Sequence, residues 1–380
     1  MNHPFDFTIG IIGGGQLGKM LAQEAKKLNF RVNILDPTPE CPAFSLVDRQ
    51  IIADFYDKDR IRELILNSDI TTFEIEHIDT QILNELYAKG HKIFPSPKVL
   101  EIIQDKSRQK QMLDEHQIPT ARWIKTADIT SDSLIKFGLP AVQKTCKGGY
   151  DGRGVFILEK PEDIHNNLIC ESFVEEQIPF ERELAVMVAR SSRGDIKCYP
   201  VVEMNFDQNA NICTETVAPA RIDQSIKNEV IDIAIKCVEA LDGVGVFGIE
   251  MFLTQDKKVL VNEIAPRPHN SGHYTIEACV TSQFEQHLRA ITGLPLGSTD
   301  LIIPAVMVNL LGAEGYQGKP YFKGVDEILR IPGVSLHIYG KKETKPYRKM
   351  GHITIIDEDI DKALERASII KRTIKVIAEG

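Results

Sequence analysis

Hydrophobic positions recur along this chain with two different periods, and each change of period marks an element. Residues 8–12 form a short apolar run, residues 17–28 repeat their apolar side chains at helical spacing, and residues 31–35 are apolar again before Asp36 and Pro37. With a glycine turn between the first two, this pattern predicts a βαβ unit. A second round follows: helix 58–67, strand 70–74, helix 80–89 and a short strand 91–94 that stops at Pro95 and Pro97. Residues 98–116 read as one helix. A further helix ends at residues 136–138, strand 141–145 comes next, and residues 155–158 form a strand after a second glycine-rich stretch. From residue 169 the chain turns strand-rich, with alternation in 183–188, 198–204, 246–253 and 258–264, interrupted by helix 224–241. Residues 291–300, rich in Gly, Pro, Ser and Thr, read as a linker, and residues 302–380 as a small strand-rich unit. The fold class this predicts is α/β, with no internal repeat.

Composition narrows the picture. A chain of 380 residues with 43% hydrophobic content can bury a sizeable core and is expected to divide into two to four domains or subdomains. The formal net charge is -9 and neither sign forms a long run, which argues against nucleic acid as a partner. Apolar runs such as 8–12 and 301–308 end well short of a membrane span. The amino terminus lacks a basic stretch followed by an apolar one and a cleavage site, so a cytoplasmic protein is expected. Seven cysteines, widely spaced and without a C-x-x-C pair, signal neither disulfides nor zinc and are expected to be small buried hydrophobes. Cys146 alone lies beside a glycine loop, where a nucleophile is conceivable.

Three groups of residues carry chemistry. Gly13-x-Gly15-x-x-Gly18 follows a strand and opens a helix, with Asp36 at the end of the next strand, the spacing of a dinucleotide fingerprint. Glycines at a helix amino terminus offer N–H groups to any phosphate, so a ribose phosphate fits as well as NAD, and a merely tight turn stays open as a reading. Lys144 to Gly154 reads KTCKGGYDGRG between two short strands; a P-loop would run straight into a helix. A hairpin flap of this kind can lay backbone N–H groups over a polyphosphate while Lys144 supplies a point charge. Finally, residues 246–252 and 259–264 are strands joined by residues 254–258. A turn centred on Asp256 and Lys257 pairs Glu250 with Glu263. Opposed like charges call for a cation or a shared proton, and magnesium bridging nucleotide phosphates supplies one. The polar tract that follows, with Arg267, His269, Asn270, Ser271 and His273, lacks zinc spacing and suits substrate or phosphate contacts.

Together these residues resemble the ATP-grasp superfamily and, within it, the 5-(carboxyamino)imidazole ribonucleotide synthase family of purine biosynthesis. The resemblance covers essentially the whole chain. It rests on IIGGGQLGKML near the start, FEIEHI at 73–78, KTCKGGYDGRG at 144–154, VEEQIPFERE at 174–183, NEIAPRPHNSGH at 262–273 and YRKMGH at 347–352. It implies a Rossmann-like pre-ATP-grasp domain over residues 1–97, an ATP-grasp domain over 98–297 with a glycine-loop lid at about 115–180, and a strand-rich carboxy-terminal domain over 298–380. It also implies a ligase that joins bicarbonate to the amino group of 5-aminoimidazole ribonucleotide, cleaving ATP through carboxyphosphate, and a homodimer.

For the nucleotide, the resemblance implies Glu175, Glu176, Gln177 and Ile178 at the adenine and Glu183 at the ribose. Arg108, Lys144 and the loop Gly149, Tyr150, Asp151, Gly152, Arg153 and Gly154 would meet the phosphates. Asn262 and Glu263 lie beside them, and Glu250 and Glu263 hold magnesium. For the ribonucleotide it implies Gly15, Gln16, Leu17, Glu74, Tyr150, Arg153, His269, Asn270, Lys341, Arg348 and Lys349, with Asp151, Arg153 and Lys349 catalytic. Cys146 and Lys147 stand where relatives often carry arginine, which loosens the assignment of loop contacts. Other readings stay open: a formate-dependent glycinamide ribonucleotide transformylase, whose loop would be serine-rich; an NAD-dependent dehydrogenase, which leaves the second loop and paired glutamates unused; and a non-catalytic nucleotide-binding regulator.

Overall fold

The expected βαβ unit is present in the computed structural model, which describes residues 6–125, 130–149, 154–166, 170–207 and 212–379. Strands β1 (Thr8–Ile12), β2 (Arg31–Leu35) and β3 (Arg49–Ile51) and helices α1 (Gln16–Lys27) and α2 (Lys58–Leu66) are followed by β4 (Ile70–Phe73) and α3 (Thr80–Ala88). The four strands pair in parallel in the order β3-β2-β1-β4. Ile9, Ile11 and Ile12 are fully buried, because helices cover both faces of a parallel sheet and leave no polar side to alternate with. The expected strand 91–94 shrinks to one bridge between Thr71 and Ile93, since Pro95 and Pro97 have no N–H to extend a ladder.

The single helix read over 98–116 is two, α4 (Pro97–Gln104) and α5 (Lys106–Glu115). Asp105 divides them. Its backbone is extended and its carboxylate accepts the N–H groups of Ser107 and Arg108, which ends one helix and caps the next. A separate unit comprises β5 (Trp123–Lys125), α6 (Ser131–Phe137), β6 (Ala141–Thr145), β7 (Val155–Leu158) and β8 (Ser172–Glu176), with its strands in an antiparallel sheet in the order β5-β8-β6-β7. It has a small core of its own around Leu134, Phe137, Leu158 and Val174.

The central part contains β9 (Phe180–Arg190), β10 (Ile196–Cys198), β11 (Val202–Asp207), β12 (Ile212–Ala218), α7 (Gln224–Ala240), β13 (Gly245–Thr254) and β14 (Val259–Ala265). After α8 (Thr275–Ala278) and α9 (Gln283–Thr292) come β15 (Ala305–Leu311), β16 (Pro320–Lys323), α10 (Val325–Ile328), β17 (Val334–Ile338), β18 (Lys349–Ile356), α11 (Ile360–Thr373) and β19 (Lys375–Ala378). The alternating run 198–204 is not one strand: β10 and β11 flank Tyr199, Pro200 and Val201, and both pair with β9. Strands β15, β18 and β17 continue the central sheet, in the order β14-β13-β9-β11-β12-β15-β18-β17, so the carboxy-terminal unit is built onto it; β16 and β19 pair separately. On β9 and β13, Leu184, Val186, Val188, Phe247 and Ile249 face α7, while Ala185, Met187, Ala189 and Val246 face Tyr274 and Ala278. Glu250 shares the second face and is partly buried there.

Candidate active site

The hairpin of β13 and β14 brings the two glutamates together by a route the residue count did not contain. Leu253 pairs with Val259 and the Thr254 N–H donates to the Lys258 carbonyl, so the turn is centred on Asp256 alone. That register would set Glu250 opposite Asn262. A β-bulge corrects it: Met251 pairs with Val261 but Glu250 with Glu263, leaving Asn262 as the extra residue. The bulge frees the Asn262 amide to accept from Lys144 Nζ at 3.2 Å.

Burial, then the charges of Glu263 and Glu183, push the Glu250 carboxyl up to about 8. Desolvation acts on Glu263 in the same direction, but Lys106, with Lys144 and Arg267 behind it, holds it below the usual carboxylate range. Lys106 Nζ stands 2.6 Å from Glu263 Oε1. The asymmetry is that of two carboxylates sharing one nearby cation. His269 Nε2 lies 3.4 Å from Glu250 Oε1, and its Nδ1 is 2.9 Å from Ser271 Oγ. Burial first, then Arg267, Lys349 and His273, keep the His269 imidazole well below its normal pKa and hence neutral.

Helix α5 decides which cation joins this group. Lys106 and Lys110 are four residues apart and share the face toward β14, on which Gln109 accepts the Ile264 N–H at 3.1 Å. Arg108 lies about 200° around the helix from Lys106, exposed, with Asp105 at 3.8 Å as its ion contact. The structure therefore does not bring Arg108 to the cluster and does bring Lys106, which the sequence reading missed. The signal for it was the Asp-Lys pair at a helix start, hidden by reading residues 98–116 as one continuous helix.

Lys144 on β6 contacts Glu175 on β8, and burial, opposed by Lys144, raises the nearby Glu183 to about 7. Glu175 is buried; Glu176 is exposed near Arg122, Gln177 is exposed, and Ile178 is partly buried with its carbonyl accepting the Phe180 N–H. In the glycine loop, Gly149 and Gly154 are described, while Tyr150, Asp151, Gly152 and Arg153 lie outside the described residues. Gly154 has φ +74°, and a Cβ there would stand 2.5 Å from Thr145 Oγ1, so the hairpin closes only with glycine. Cys146 is fully buried and desolvation raises its thiol, the opposite of what a reactive thiolate needs. Most other cysteines are buried as expected, but Cys170 is exposed and Cys198 partly so.

At the amino-terminal glycine turn the N–H groups are largely taken. Glu74 accepts from Gly15 and, at 2.6 Å, from Gly18, while Asp36 accepts from Gly14 at 2.8 Å. Two carboxylates thus occupy the place a pyrophosphate would take in a dinucleotide site, and among the described residues the Gln16 and Leu17 N–H groups keep no partner. Leu17's side chain is buried, so it can contribute only its backbone. Beside this turn opens a cavity of about 370 Å³ whose lining includes Gly15, Asp36, Thr38, Lys341 and Arg348. Lys341 donates to the Lys349 carbonyl at 2.7 Å. Asn270 forms a reciprocal amide pair with Asn309 at 2.7–2.8 Å. The charge of Lys349 acts on both Glu250 and His269.

Comparison with known proteins follows the same division. The chain matches the ribonucleotide synthetase preATP-grasp domain over residues 7–104, the ATP-grasp domain over 111–284 and the phosphoribosylaminoimidazole carboxylase C-terminal domain over 305–366. It is 42% identical to N5-carboxyaminoimidazole ribonucleotide synthase of Bacillus subtilis, over 94% of this chain and 93% of that one. The chain belongs to the N5-carboxyaminoimidazole ribonucleotide synthase family. A solved family member from Thermotoga maritima is 56% identical with a TM-score of 0.92, covering 98% of this chain and 100% of its own. The synthase of Aspergillus clavatus, solved with ADP and 5-aminoimidazole ribonucleotide, is 35% identical with a TM-score of 0.90, covering 98% and 99%. As a synthase of this family the chain is an ATP-dependent ligase with the ATP-grasp fold, and the dehydrogenase and transformylase readings fall away.

Proposed function

We propose that this chain carboxylates 5-aminoimidazole ribonucleotide with bicarbonate at the expense of ATP, yielding 5-(carboxyamino)imidazole ribonucleotide, ADP and phosphate in purine biosynthesis. The observation that carries the reading is the opposed pair Glu250 and Glu263 with Lys106 and Lys144 beside it. The pair fits magnesium: one carboxyl pushed up to about 8 by burial first and by its neighbour Glu263 second is a site lacking positive charge. When bound, the metal would neutralise phosphate charge as the γ-phosphoryl group transfers.

The chain's own residues do the rest. Lys144 and Lys106 draw the phosphates toward β14, and the hinge Glu175, Glu176, Gln177 and Ile178 frames the adenine, with Glu183 at the ribose. Bicarbonate oxygen attacks the γ-phosphorus, ADP leaves, and carboxyphosphate results. The substrate amine then attacks the carboxyl carbon, phosphate departs, and the nitrogen loses a proton. Closure of the loop around Gly149 and Gly154 keeps water from the anhydride. Asp151 orients the amine or takes its proton and Arg153 holds bicarbonate, with Tyr150 alongside, an assignment resting on the loop's resemblance to that of the family. Gln16 and Leu17 N–H groups, with Lys341, Arg348 and Lys349, suit the ribonucleotide phosphate. Glu74 serves that phosphate by fixing the turn, and His269 offers a neutral imidazole. A homodimer in the cytoplasm completes the proposal.

Purified protein supplied with magnesium-ATP, bicarbonate and aminoimidazole ribonucleotide is expected to release ADP and consume the free amine together. ADP release that requires formate and glycinamide ribonucleotide instead would refute the reading.

A further inference from the structure

Lys110 is a lysine without an evident function: 3% exposed, four residues after Lys106 on α5, and directed at Glu175 where Lys106 is directed at Glu263. Its Nζ is 2.7 Å from Glu175 Oε2, close but not aligned as a hydrogen bond, and donates to Thr120 Oγ1 at 2.6 Å. Thr120 donates on to the Val261 carbonyl at 2.8 Å, which ties the ammonium to the strand carrying Asn262 and Glu263. The second oxygen of Glu175 meets Lys144. One buried carboxylate therefore lies between two ammonium groups, one fixed in the protein interior and one partly exposed beside Asn262.

The asymmetry between the two lysines is informative. Lys144 Nζ has a second partner in Asn262 and its side chain is 18% exposed, whereas that of Lys110 is 4% exposed. Burial lowers the Lys110 pKa, offset in part by Glu175; for Glu175, desolvation is outweighed by Lys144 and Lys110, which keep it ionised. A lysine that must turn from Glu175 toward a polyphosphate would strand a buried carboxylate unless another cation stays behind. Only Lys110 is placed to do so among the described residues.

We propose that Lys110 is a positioning residue for Lys144: by neutralising Glu175 it lets Lys144 transfer its ammonium to the nucleotide phosphates. The inference rests on the magnesium-ATP reading of the site. Without Lys110, Glu175 holds Lys144 back, and the loss falls on phosphate contacts and spares the adenine pocket.

The test uses the full chain with MgADP and adenosine as titrants, together with the KM for ATP. In Lys110→Met, MgADP affinity is expected to fall about tenfold or more with adenosine affinity within about twofold of wild type. Lys110→Arg restores most of the MgADP binding. The double variant Lys110→Met/Glu175→Gln, which leaves no unpaired buried charge and serves as the folded control, regains a near-wild-type ratio of MgADP to adenosine affinity. Equal losses for both titrants, unchanged MgADP binding in Lys110→Met, or a double variant that fails to recover the ratio would each overturn the proposal. Wild-type protein that binds no MgADP would instead defeat the nucleotide reading beneath it.

Discussion

Lys106 and Arg108 are two cations at the start of one helix, and only the first reaches Glu263. Charge alone could not choose between them; the helix start could, because Asp105 fixes the phase of α5 and hence which side chains face β14. Lys106→Met is expected to lower kcat/KM for ATP about a hundredfold and Arg108→Met by less than about threefold, measured by ADP release. The reverse order would remove Lys106 from the site. Glu263→Gln should keep the thermal transition within a few degrees of wild type, about 3 °C, while ADP formation is lost, since the amide removes a charge at a half-exposed side chain without changing its volume. Unimpaired turnover in that variant would dissociate the pair from metal binding. Both glutamates were legible in the sequence because they lie in apolar runs where a charge needs a reason. Lys106 and Lys110 were not, because lysines on an amphipathic helix ordinarily face water.

At the level of elements, the strands of the central sheet stand out in the sequence where one face is polar and fade where both faces are buried. β9 and β13 pack on both sides and were read only over 183–188 and 246–253, inside their full lengths, while β12 went unseen together with α9 and α11. Phase was harder than existence: the bulge at Asn262 and the cap at Asp105 each shift a register by a residue or break a helix, and neither leaves a mark in periodicity. One helix residue couples two sheets. His287 on α9 accepts the Val246 N–H of β13 at Nδ1, 3.0 Å, so its Nε2 carries the proton and donates to Thr72 Oγ1 of β4 at 2.8 Å. Burial drives its pKa down to about 3, against about 6.5 for an unfolded histidine. The unfolded chain therefore binds the extra proton: the contribution is complete above about pH 6.5 and is lost as pH falls toward 3, at up to about 1.4 kcal/mol per pH unit. Urea titrations between pH 7.5 and 5.0 should show a shallower fall in His287→Asn than in wild type, although the variant starts less stable. Parallel slopes would mean that this histidine does not titrate across unfolding.

Across the whole molecule, the cavity beside the glycine turn is assembled from opposite ends of the chain. Gly15 and Asp36 come from the first β-α-β unit, Lys341 and Arg348 from the segment leading into β18. That segment is held in place because β18 and its neighbours extend the central sheet, which carries Glu250 a few strands away. The three-part division could be read from the sequence; the shared sheet could not, because strand order is set by pairings between residues far apart, such as Glu215 with Val308. The consequence is a division of labour that can be separated by measurement. The Glu74 and Asp36 carboxylates already satisfy most of the turn's N–H groups, so a dianionic phosphate entering there must be balanced by cations from the other wall. Arg348 has its guanidinium on the Glu343 carbonyl at 2.8 Å and lines the cavity without touching the paired glutamates. Arg348→Ala should therefore raise the KM for aminoimidazole ribonucleotide by about tenfold or more and weaken its dependence on ionic strength, while the KM for ATP stays within about twofold. If both KM values rise together, the cavity is not a separate ribonucleotide pocket, and the cations at 341, 348 and 349 serve the nucleotide instead.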